Sequence, residues 1–489
     1  MRKVILPILG LTLTAAVPAF AQTVQSAANA LNVANTKSIE FSGTGHWFQF
    51  GQAPAPSLPW PQFDISRYTA NVNYETAGAR VQITRKQTVE PGRLRPTPVE
   101  QRVDQYVAGA SAWNVTTPAN APQGAAPTVT PQLGAVEERA AEIWATPQGF
   151  LKAAANNNAV TKSVKGGAEV SFTTDGKYRY VGTINKSNQV ESVRTWIANP
   201  VLGDTLVETK YSDYKAFDGV QFPSRIVRTS GGYPVLDIAV SEVKLNPAVD
   251  IAVPQEVANA KPPVITVTPA KLAEGVYYLT GGTHHSVAIE QRDHVVVVEA
   301  PQSEERSLAV IAKVKETIPN KPIKYLVNTH AHFDHAGGVR TFVDEGATIV
   351  TQKLNEPYFK KVWAAPRTIS PDRLAKSKKS ARFETFTSKH VLSDGKRSIE
   401  VHQIAGNTHN DAFALVYLPE EKILIEADAY TPTAANVPPP STPNPYTVNL
   451  YENIQKLKLD VEQIAALHGP RVVTLADLRA VIGQPLAAN

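Results

Sequence analysis

The chain has 489 residues, of which 43% are hydrophobic and 19% are charged, and its formal net charge is +5 at pH 7. This length is sufficient for two domains with separate cores, and the composition is that of a globular protein rather than a disordered or membrane-embedded one. So small a charge excess gives no argument for a nucleic-acid partner. The chain contains no cysteine, which excludes disulfides, thiolate metal ligands and an acylated lipoprotein anchor.

The first residues have the pattern of a secretory signal peptide. Arg2 and Lys3 precede an apolar stretch from Val4 to Val17, and Ala19-Phe20-Ala21 supplies the small residues of a cleavage site. The apolar stretch is short for a membrane span, so we expect no transmembrane anchor. We therefore expect residues 1–21 to be a Sec-type signal peptide cleaved after Ala21, and the protein to be periplasmic or secreted.

Residues 22–253 are predicted to form an accessory domain that is mostly antiparallel β with one helix, an α+β arrangement. The helix is expected over Val136–Ala154, where Pro147 must kink or divide it. The domain resembles the curved antiparallel sheets of periplasmic lipoprotein carriers, which implies a possible envelope partner. The strand-like runs are Ile39–Phe50, Tyr68–Ile83, Tyr178–Ile184 and Val190–Ile197.

A proline-rich linker is predicted at residues 254–270, and a second domain at residues 271–489. Five prolines lie between residues 247 and 269, where the sequence has little periodicity. Strands and helices then alternate, which indicates a layered α/β domain. The predicted strands are Gly275–Leu279, Ser286–Glu290, His294–Glu299, Ile323–Val327, Ile399–Ile404, Phe413–Tyr417 and Lys422–Glu426, and the predicted helices are Glu304–Thr317 and Tyr451–Leu457.

A cluster of metal-binding residue types follows the strand predicted over Ile323–Val327. His330, His332, Asp334 and His335 form the pattern His-x-His-x-Asp-His. Four nitrogen and oxygen donors within six positions predict a divalent-metal site, and donors of this kind favour zinc. The pattern divides into two pairs, which indicates two metal ions.

A single loop cannot complete such a site, so further donors are expected from distant strand ends. His409 lies in a loop between two predicted strands, Asp428 follows the strand that ends at Glu426, and His468 follows another apolar run. Each of these residues alone is a weak signal. Their shared position after strands makes all three candidate ligands.

With these ligands, residues 271–489 resemble the metallo-β-lactamase superfamily. The resemblance implies an αββα sandwich with two Zn²⁺ ions, or other divalent metals, at one edge of its sheets. It also implies a metal-bridging hydroxide as the nucleophile, oriented by Asp334 as the catalytic residue. By the same resemblance, His330, His332 and His409 hold one metal, Asp334, His335 and His468 hold the other, and Asp428 bridges them.

Two residues narrow the chemistry that this resemblance implies. β-Lactamases of the superfamily generally have Cys or Ser where this chain has Asp428, and redox members have Glu where it has His332. We therefore expect hydrolysis of an ester, lactone or related acyl bond in a small-molecule substrate. β-Lactamase, sulfatase and phosphodiesterase activities are the alternatives on the same site. His284, His285 and Tyr430 are candidate substrate contacts.

Two hypotheses of other classes accompany this one. The N-terminal sheet could bind an envelope lipid or partner while the second domain serves as a scaffold, although a scaffold has no need of a complete ligand set. Alternatively, the same fold could hold one iron ion and act as an oxygenase of sulfur compounds. The number and identity of bound metal ions would distinguish these possibilities.

Overall fold

The structure is a computed structural model that describes residues 19–117 and 126–484. Most of the predicted signal peptide lies outside these residues, and the first helix, α1, spans Ala19–Ala30. Within the described ranges, no helix is both long and apolar enough to cross a membrane. The chain forms a large antiparallel sheet followed by two smaller sheets, which corresponds to the predicted two-domain fold class.

The N-terminal sheet has 13 strands, and its first and last strands pair side by side at its centre. Its order is β6-β5-β4-β3-β2-β1-β13-β12-β11-β10-β9-β8-β7. The strands are β1 (Ser38–Phe48), β2 (Gln62–Asn73), β3 (Gly78–Gln87), β4 (Gln101–Ala108), β5 (Ser111–Thr116), β6 (Thr128–Pro131), β7 (Val160–Val164), β8 (Gly167–Thr174), β9 (Tyr178–Asn185), β10 (Val190–Asn199), β11 (Gly203–Phe217), β12 (Val220–Ser230) and β13 (Tyr233–Leu245).

Two helices connect the opposite edges of this sheet, from β6 to β7. The single helix predicted around Pro147 is divided into α2 (Val136–Ala145) and α3 (Pro147–Asn156). Thr146 is extended between them and caps α3 by accepting a hydrogen bond from Gly149. Pro147 is tolerated because the first position of a helix needs no backbone N–H. Helix α1, which was not predicted, packs against α3.

The core of the N-terminal domain lies between these helices and the sheet. Phe150 of α3 is fully buried and packs against the ring of Phe172, with ring centroids 5.3 Å apart. Gly182 of β9 leaves room for Phe150, because a Cβ there would lie 2.3 Å from the ring. A cavity of about 300 Å³ remains between α2 and the sheet. A short helix, α4 (Gln255–Ala258), follows in the segment predicted as the linker and packs against β5 and β6.

The second domain is a four-layer αββα sandwich. Its first sheet has the order β14 to β20, and its second sheet the order β21 to β26. The strands are β14 (Thr268–Ala273), β15 (Val276–Thr280), β16 (Ser286–Glu290), β17 (Val295–Val298), β18 (Ile323–Val327), β19 (Thr348–Gln352), β20 (Arg382–Phe386), β21 (Lys389–Ser393), β22 (Ser398–Gln403), β23 (Ala414–Leu418), β24 (Ile423–Glu426), β25 (Gln463–Ala466) and β26 (Val473–Thr474).

The helices of this domain include several that the sequence did not indicate. The helices of the domain, predicted and unpredicted together, are α5 (Glu304–Thr317), α6 (Phe333–Ala336), α7 (Val339–Glu345), α8 (Asn355–Trp363), α9 (Arg373–Ser377), α10 (Pro445–Leu457) and α11 (Leu475–Val481). One core lies between the two sheets and includes Val296 and Val416, and another lies between the first sheet and helices α5 and α7. Strands buried on both faces explain the nearly continuous valine run of β17.

Candidate metal centre

The candidate ligands meet because their loops emerge at the same edge of the two sheets. Strands β17 and β18 are parallel in the first sheet, and β24 and β25 are parallel in the second. In each sheet, the loops that follow these two strands therefore lie at the same edge. Strand β15 runs parallel to β17 through the intervening antiparallel β16, and β22 runs parallel to β24 in the same way. Loops after β15, β18, β22, β24 and β25 therefore bring His284, His330, His409, Asp428 and His468 together.

Among the described residues, three groups of donor side chains could hold a metal ion. Two of them are sets of four that contain the candidate ligands, and the third is Glu299, His330 and His335. In each set, one ligand atom per residue can be chosen so that all of these atoms lie within 4.8 Å of one another. All seven ligands suggested by the sequence occur in these sets, and His284 joins the second. The first set is His330, His332, His409 and Asp428, and the second is His284, Asp334, His335 and His468.

Asp428 lies between the two sets and contacts both. Its Oδ2 is 3.1 Å from His409 Nε2 and 3.4 Å from His330 Nε2, which belong to the first set. The same oxygen is 3.0 Å from His335 Nε2, and Oδ1 is 2.9 Å from His468 Nδ1 in the second set. Asp428 thus links the two sets through direct contacts with both.

Several imidazole nitrogens at this site are buried without a well-formed hydrogen bond. His332 Nδ1 has no partner, and His330 Nε2 and His335 Nε2 do not meet hydrogen-bond geometry although Asp428 Oδ2 lies 3.4 and 3.0 Å away. Buried polar atoms are normally satisfied, and unpaired ones indicate a place for a bound ion or a functional role. Burial, and then the charge of His335, lower the pKa of His330 to about 4, so its imidazole is neutral at neutral pH. A neutral imidazole with a free nitrogen is the form that binds metal. The residues therefore fit a metal ion.

Glu299 fixes the orientation of two of these imidazoles. Thr329 Oγ1 donates to Glu299 Oε2 over 2.5 Å and contacts His330 Nδ1 at 3.0 Å, which leaves His330 Nε2 free as a ligand atom. Glu299 Oε2 also lies 3.3 Å from His335 Nδ1. The backbone of Glu299 has φ 73°, a region that residues with a side chain rarely adopt and that often marks a functional site.

The sequence analysis missed Glu299, although it contained a signal. Glu299 directly follows the four valines of β17 and is fully buried. An acid at the end of a buried strand needs a partner, because an unpaired buried carboxylate is costly. Asp428 was selected as a candidate ligand because it follows a strand, and Glu299 meets the same criterion.

The three predicted substrate contacts have different surroundings. His284 is buried, and its Nε2 lies 3.3 Å from Asp334 Oδ2, while its ring stacks on His468 with centroids 4.0 Å apart. His285 Nε2 donates to the Gly469 carbonyl over 2.6 Å, and His285 belongs to neither donor set. Tyr430 is packed in the core between the two sheets.

A loop of the N-terminal domain covers the metal centre. This covering loop, residues 49–54, is the first part of the connection from β1 to β2. Gln52 Nε2 donates to Asp334 Oδ1 over 2.9 Å, and the Ala53 carbonyl accepts from His332 Nε2 over 2.9 Å. The Ala53 contact leaves His332 Nδ1 free as a ligand atom. Gly51 has φ 77°, and a Cβ there would lie 2.6 Å from the Phe333 ring, so a larger residue would displace the loop.

Comparisons with known proteins agree with this architecture. Residues 279–432 match the metallo-beta-lactamase superfamily, and this segment is a metallo-β-lactamase fold domain. Over 170 residues, 34% of this chain, the sequence is 25% identical to the 2,4-dinitroanisole O-demethylase subunit alpha of Nocardioides sp.. Over 57 residues, 12% of this chain, it is 40% identical to the linear primary-alkylsulfatase of Pseudomonas sp..

These matches cover parts of the proteins concerned. The chain spans 47% of the length of the demethylase subunit and 11% of the alkylsulfatase. Among solved structures, the metallo-beta-lactamase from Pontibacter korlensis aligns over 45% of this chain and 98% of its own, with 18% identity and a TM-score of 0.34.

Proposed function

We propose that the chain is a two-metal hydrolase of an ester, lactone or related acyl bond in a small molecule. The observation that carries the proposal is the pair of donor sets joined through Asp428. The unpaired nitrogens of His330 and His332 favour metal binding over a purely structural histidine cluster. They also argue against the second domain as a mere scaffold, because a scaffold would satisfy its buried polar atoms within the protein.

Each donor set would hold one divalent ion, with zinc favoured by the nitrogen and oxygen ligands. Zinc held by these residues would make a bound water nucleophilic near neutral pH and would polarise the scissile group. His284 is proposed as an additional donor of the second set rather than as a substrate contact.

Asp334 is proposed as the catalytic carboxylate. Burial raises its pKa, but the hydrogen bond with His284 and the charge of His335 outweigh burial, so the pKa lies well below its usual value. Asp334 is therefore ionised at neutral pH, the state in which its carboxylate can bind a metal ion and accept a hydrogen bond from the attacking water. Gln52 holds its Oδ1 in place.

Sulfate-ester hydrolysis is the second candidate function. The alkylsulfatase match, 40% identical over 57 residues, is the observation that favours it. Sulfate esters and carboxylic esters both place an oxygen that can be polarised next to the scissile bond. The choice between them therefore depends on the substrate pocket rather than on the donor sets.

Turnover of a substrate panel by the zinc-loaded protein tests the proposal. The panel contains a lactone, an aryl ester, a thioester, a β-lactam, a sulfate ester and a phosphodiester. We expect acyl hydrolysis that Asp334→Ala reduces at least about a thousandfold, since the nucleophile loses its orienting group. Asp293→Ala, at a carboxylate with 76% side-chain exposure, is the matched control and should retain full activity.

Metal content, measured on the same samples, separates the alternatives. Two zinc ions per chain and acyl turnover would support the proposal. One tightly bound iron ion with oxygen consumption would contradict it and favour an oxygenase. Sulfate-ester turnover without acyl turnover would favour the second candidate function.

Export is a further part of the proposal, based on the pattern of residues 1–21. N-terminal sequencing of the protein recovered from its native cell tests this point. A chain that begins at Gln22 in the periplasmic or extracellular fraction would support export. A chain that still begins at Met1 in the cytoplasmic fraction would contradict it.

A further inference from the structure

A cavity beside the metal centre is lined largely by the N-terminal domain. It has a volume of about 300 Å³ and is bounded by the covering loop, by residues 95–99, and by His332, His409 and Tyr446 of the second domain. His332 and His409 belong to the first donor set. The cavity therefore connects the candidate metal ligands with a wall made by the other domain.

The wall formed by residues 95–99 is held against the second domain by the two residues that precede it. The Thr408 hydroxyl, next to His409, donates a hydrogen bond to the Leu94 carbonyl. Arg93 Nη2 donates to both carboxylate oxygens of Asp411 over 2.9 and 2.8 Å. Prolines 96 and 98 further restrict the backbone of this segment. The position of Arg95 relative to the metal centre is therefore well defined.

Arg95 is a cationic residue of this wall, and it has donor capacity left over. Its side chain is only 5% exposed, yet its Nε makes no hydrogen bond. Its acidic neighbour Glu90 lies 3.6 Å from Arg95 Nη2, beyond good hydrogen-bond distance, and is also 3.7 Å from Arg93 Nε. Arg93, by contrast, donates hydrogen bonds to Asp411 and to the Thr408 carbonyl. Arg95 lines the cavity, so an oxyanion there would meet its guanidinium and supply the close acceptor that Glu90, at 3.6 Å from Nη2, does not.

We propose that the N-terminal domain forms the substrate-binding wall of the active site and that Arg95 binds an oxyanion of the substrate at a distance from the scissile bond. The inference rests on the proposed function for the nature of the scissile bond. It adds that the substrate is an anion whose charged group lies in the cavity lined by Arg95 and the prolines. The planar guanidinium suits a carboxylate or another planar or tetrahedral oxyanion.

Calorimetric binding of two inert substrate mimics to the full zinc-loaded chain tests this inference. The mimics are adipic acid mono-N-butylamide, which carries a terminal carboxylate, and N-butylhexanamide, its neutral counterpart. We expect the chain to bind the anion about ten- to a hundredfold more tightly, as charge-assisted hydrogen bonds allow. Arg95→Met, which keeps the aliphatic stem, should abolish this preference, and Arg95→Lys should retain part of it.

Arg102→Met is the matched control, because Arg102 lies on the neighbouring strand β4 with a side chain that is 83% exposed. It should keep the full preference for the anion. Equal affinity for the two mimics in the unmodified chain would overturn the inference. So would a preference that survives in Arg95→Met, because the carboxylate would then bind elsewhere, for example to the metals.

The failure of this inference and that of the proposed function are distinguishable, since binding of the mimics requires no turnover. Loss of the anion preference in Arg95→Met, with no hydrolysis of the panel, would support the binding site and overturn the hydrolase proposal. The opposite result is hydrolysis of an anionic ester with the same kcat and KM in Arg95→Met as in the unmodified chain. That result would support the hydrolase proposal and overturn the binding site at Arg95.

Discussion

Single hydrogen bonds determine which nitrogen of each histidine is available at the metal centre. The Thr329 hydroxyl orients His330 through Nδ1, and the Ala53 carbonyl orients His332 through Nε2. The free atoms are therefore Nε2 in His330 and Nδ1 in His332. Such outer contacts fix the tautomer of a ligand before the metal binds, and they raise affinity by reducing reorganisation.

Glu299 is the residue on which this arrangement depends most. Glu299→Gln keeps the size of the side chain but removes the charge that faces Thr329 and His335. We expect zinc affinity to fall about 10- to 100-fold, as is typical for the outer contacts of metal ligands. Competition with a chromophoric chelator measures this affinity. Glu400→Gln, on β22 and paired with Lys389, is the control, and an equal loss in both variants would contradict the assigned role.

At the scale of elements, the short helix α6 positions half of the predicted motif. Asp334 and His335 lie within this helix, whereas His330 and His332 precede it. The glycines that follow allow α6 to pack closely against the loop before α5. A Cβ on Gly337 would lie 1.9 Å from the carbonyl oxygen of Gln302, and Asp334 O already accepts a hydrogen bond from the Gln302 backbone N–H over 2.8 Å.

Gly337→Ala should therefore displace α6 rather than a flexible side chain. We expect a loss of stability of about 1 to 3 kcal/mol from overpacking, together with weaker zinc binding. Denaturant unfolding and metal analysis measure the two effects. Gly134→Ala is the matched control, because no atom lies within 4 Å of a Cβ there. Unchanged zinc binding in Gly337→Ala would show that α6 does not need this close contact.

At the scale of the whole molecule, the two domains share a structured interface. Arg367 donates to the carbonyls of Asn199 and Val201 over 3.1 and 2.8 Å, and Asp204 accepts hydrogen bonds from the backbone of Thr368 over 2.7 Å. An apolar cluster that contains Val201, Leu202 and Val362 packs beside these contacts. The interface lies on the second domain next to α8, and the covering loop provides another contact at the metal centre.

Arg367→Met tests whether this interface stabilises the molecule. The change leaves buried carbonyl groups without a donor, so we expect the free energy of unfolding to fall by about 2 kcal/mol or more. Denaturant unfolding measures the loss, and limited proteolysis should show faster cleavage between the domains. Lys376→Met removes an exposed charge nearby and should have little effect. Equal stability of the two variants would contradict a role for Arg367 in holding the domains together.

The local features of the protein were predictable from its sequence alone. His330, His332, Asp334 and His335 are neighbours in sequence, so their proximity needs no tertiary structure. The strand and helix patterns of the second domain were also predictable, and α5 spans the predicted Glu304–Thr317. His409, Asp428 and His468 could be selected because each follows a strand, and strand ends of one direction meet at one sheet edge.

The way in which the two domains combine was not predictable from the sequence. Gln52 and Asp334 are separated by 282 positions, and Arg93 and Asp411 by 318, so no local pattern links them. The same applies to His284, whose sequence neighbourhood did not indicate a place in a donor set. Residue spacing carries information over one element, whereas contacts between distant loops depend on how the sheets and domains pack.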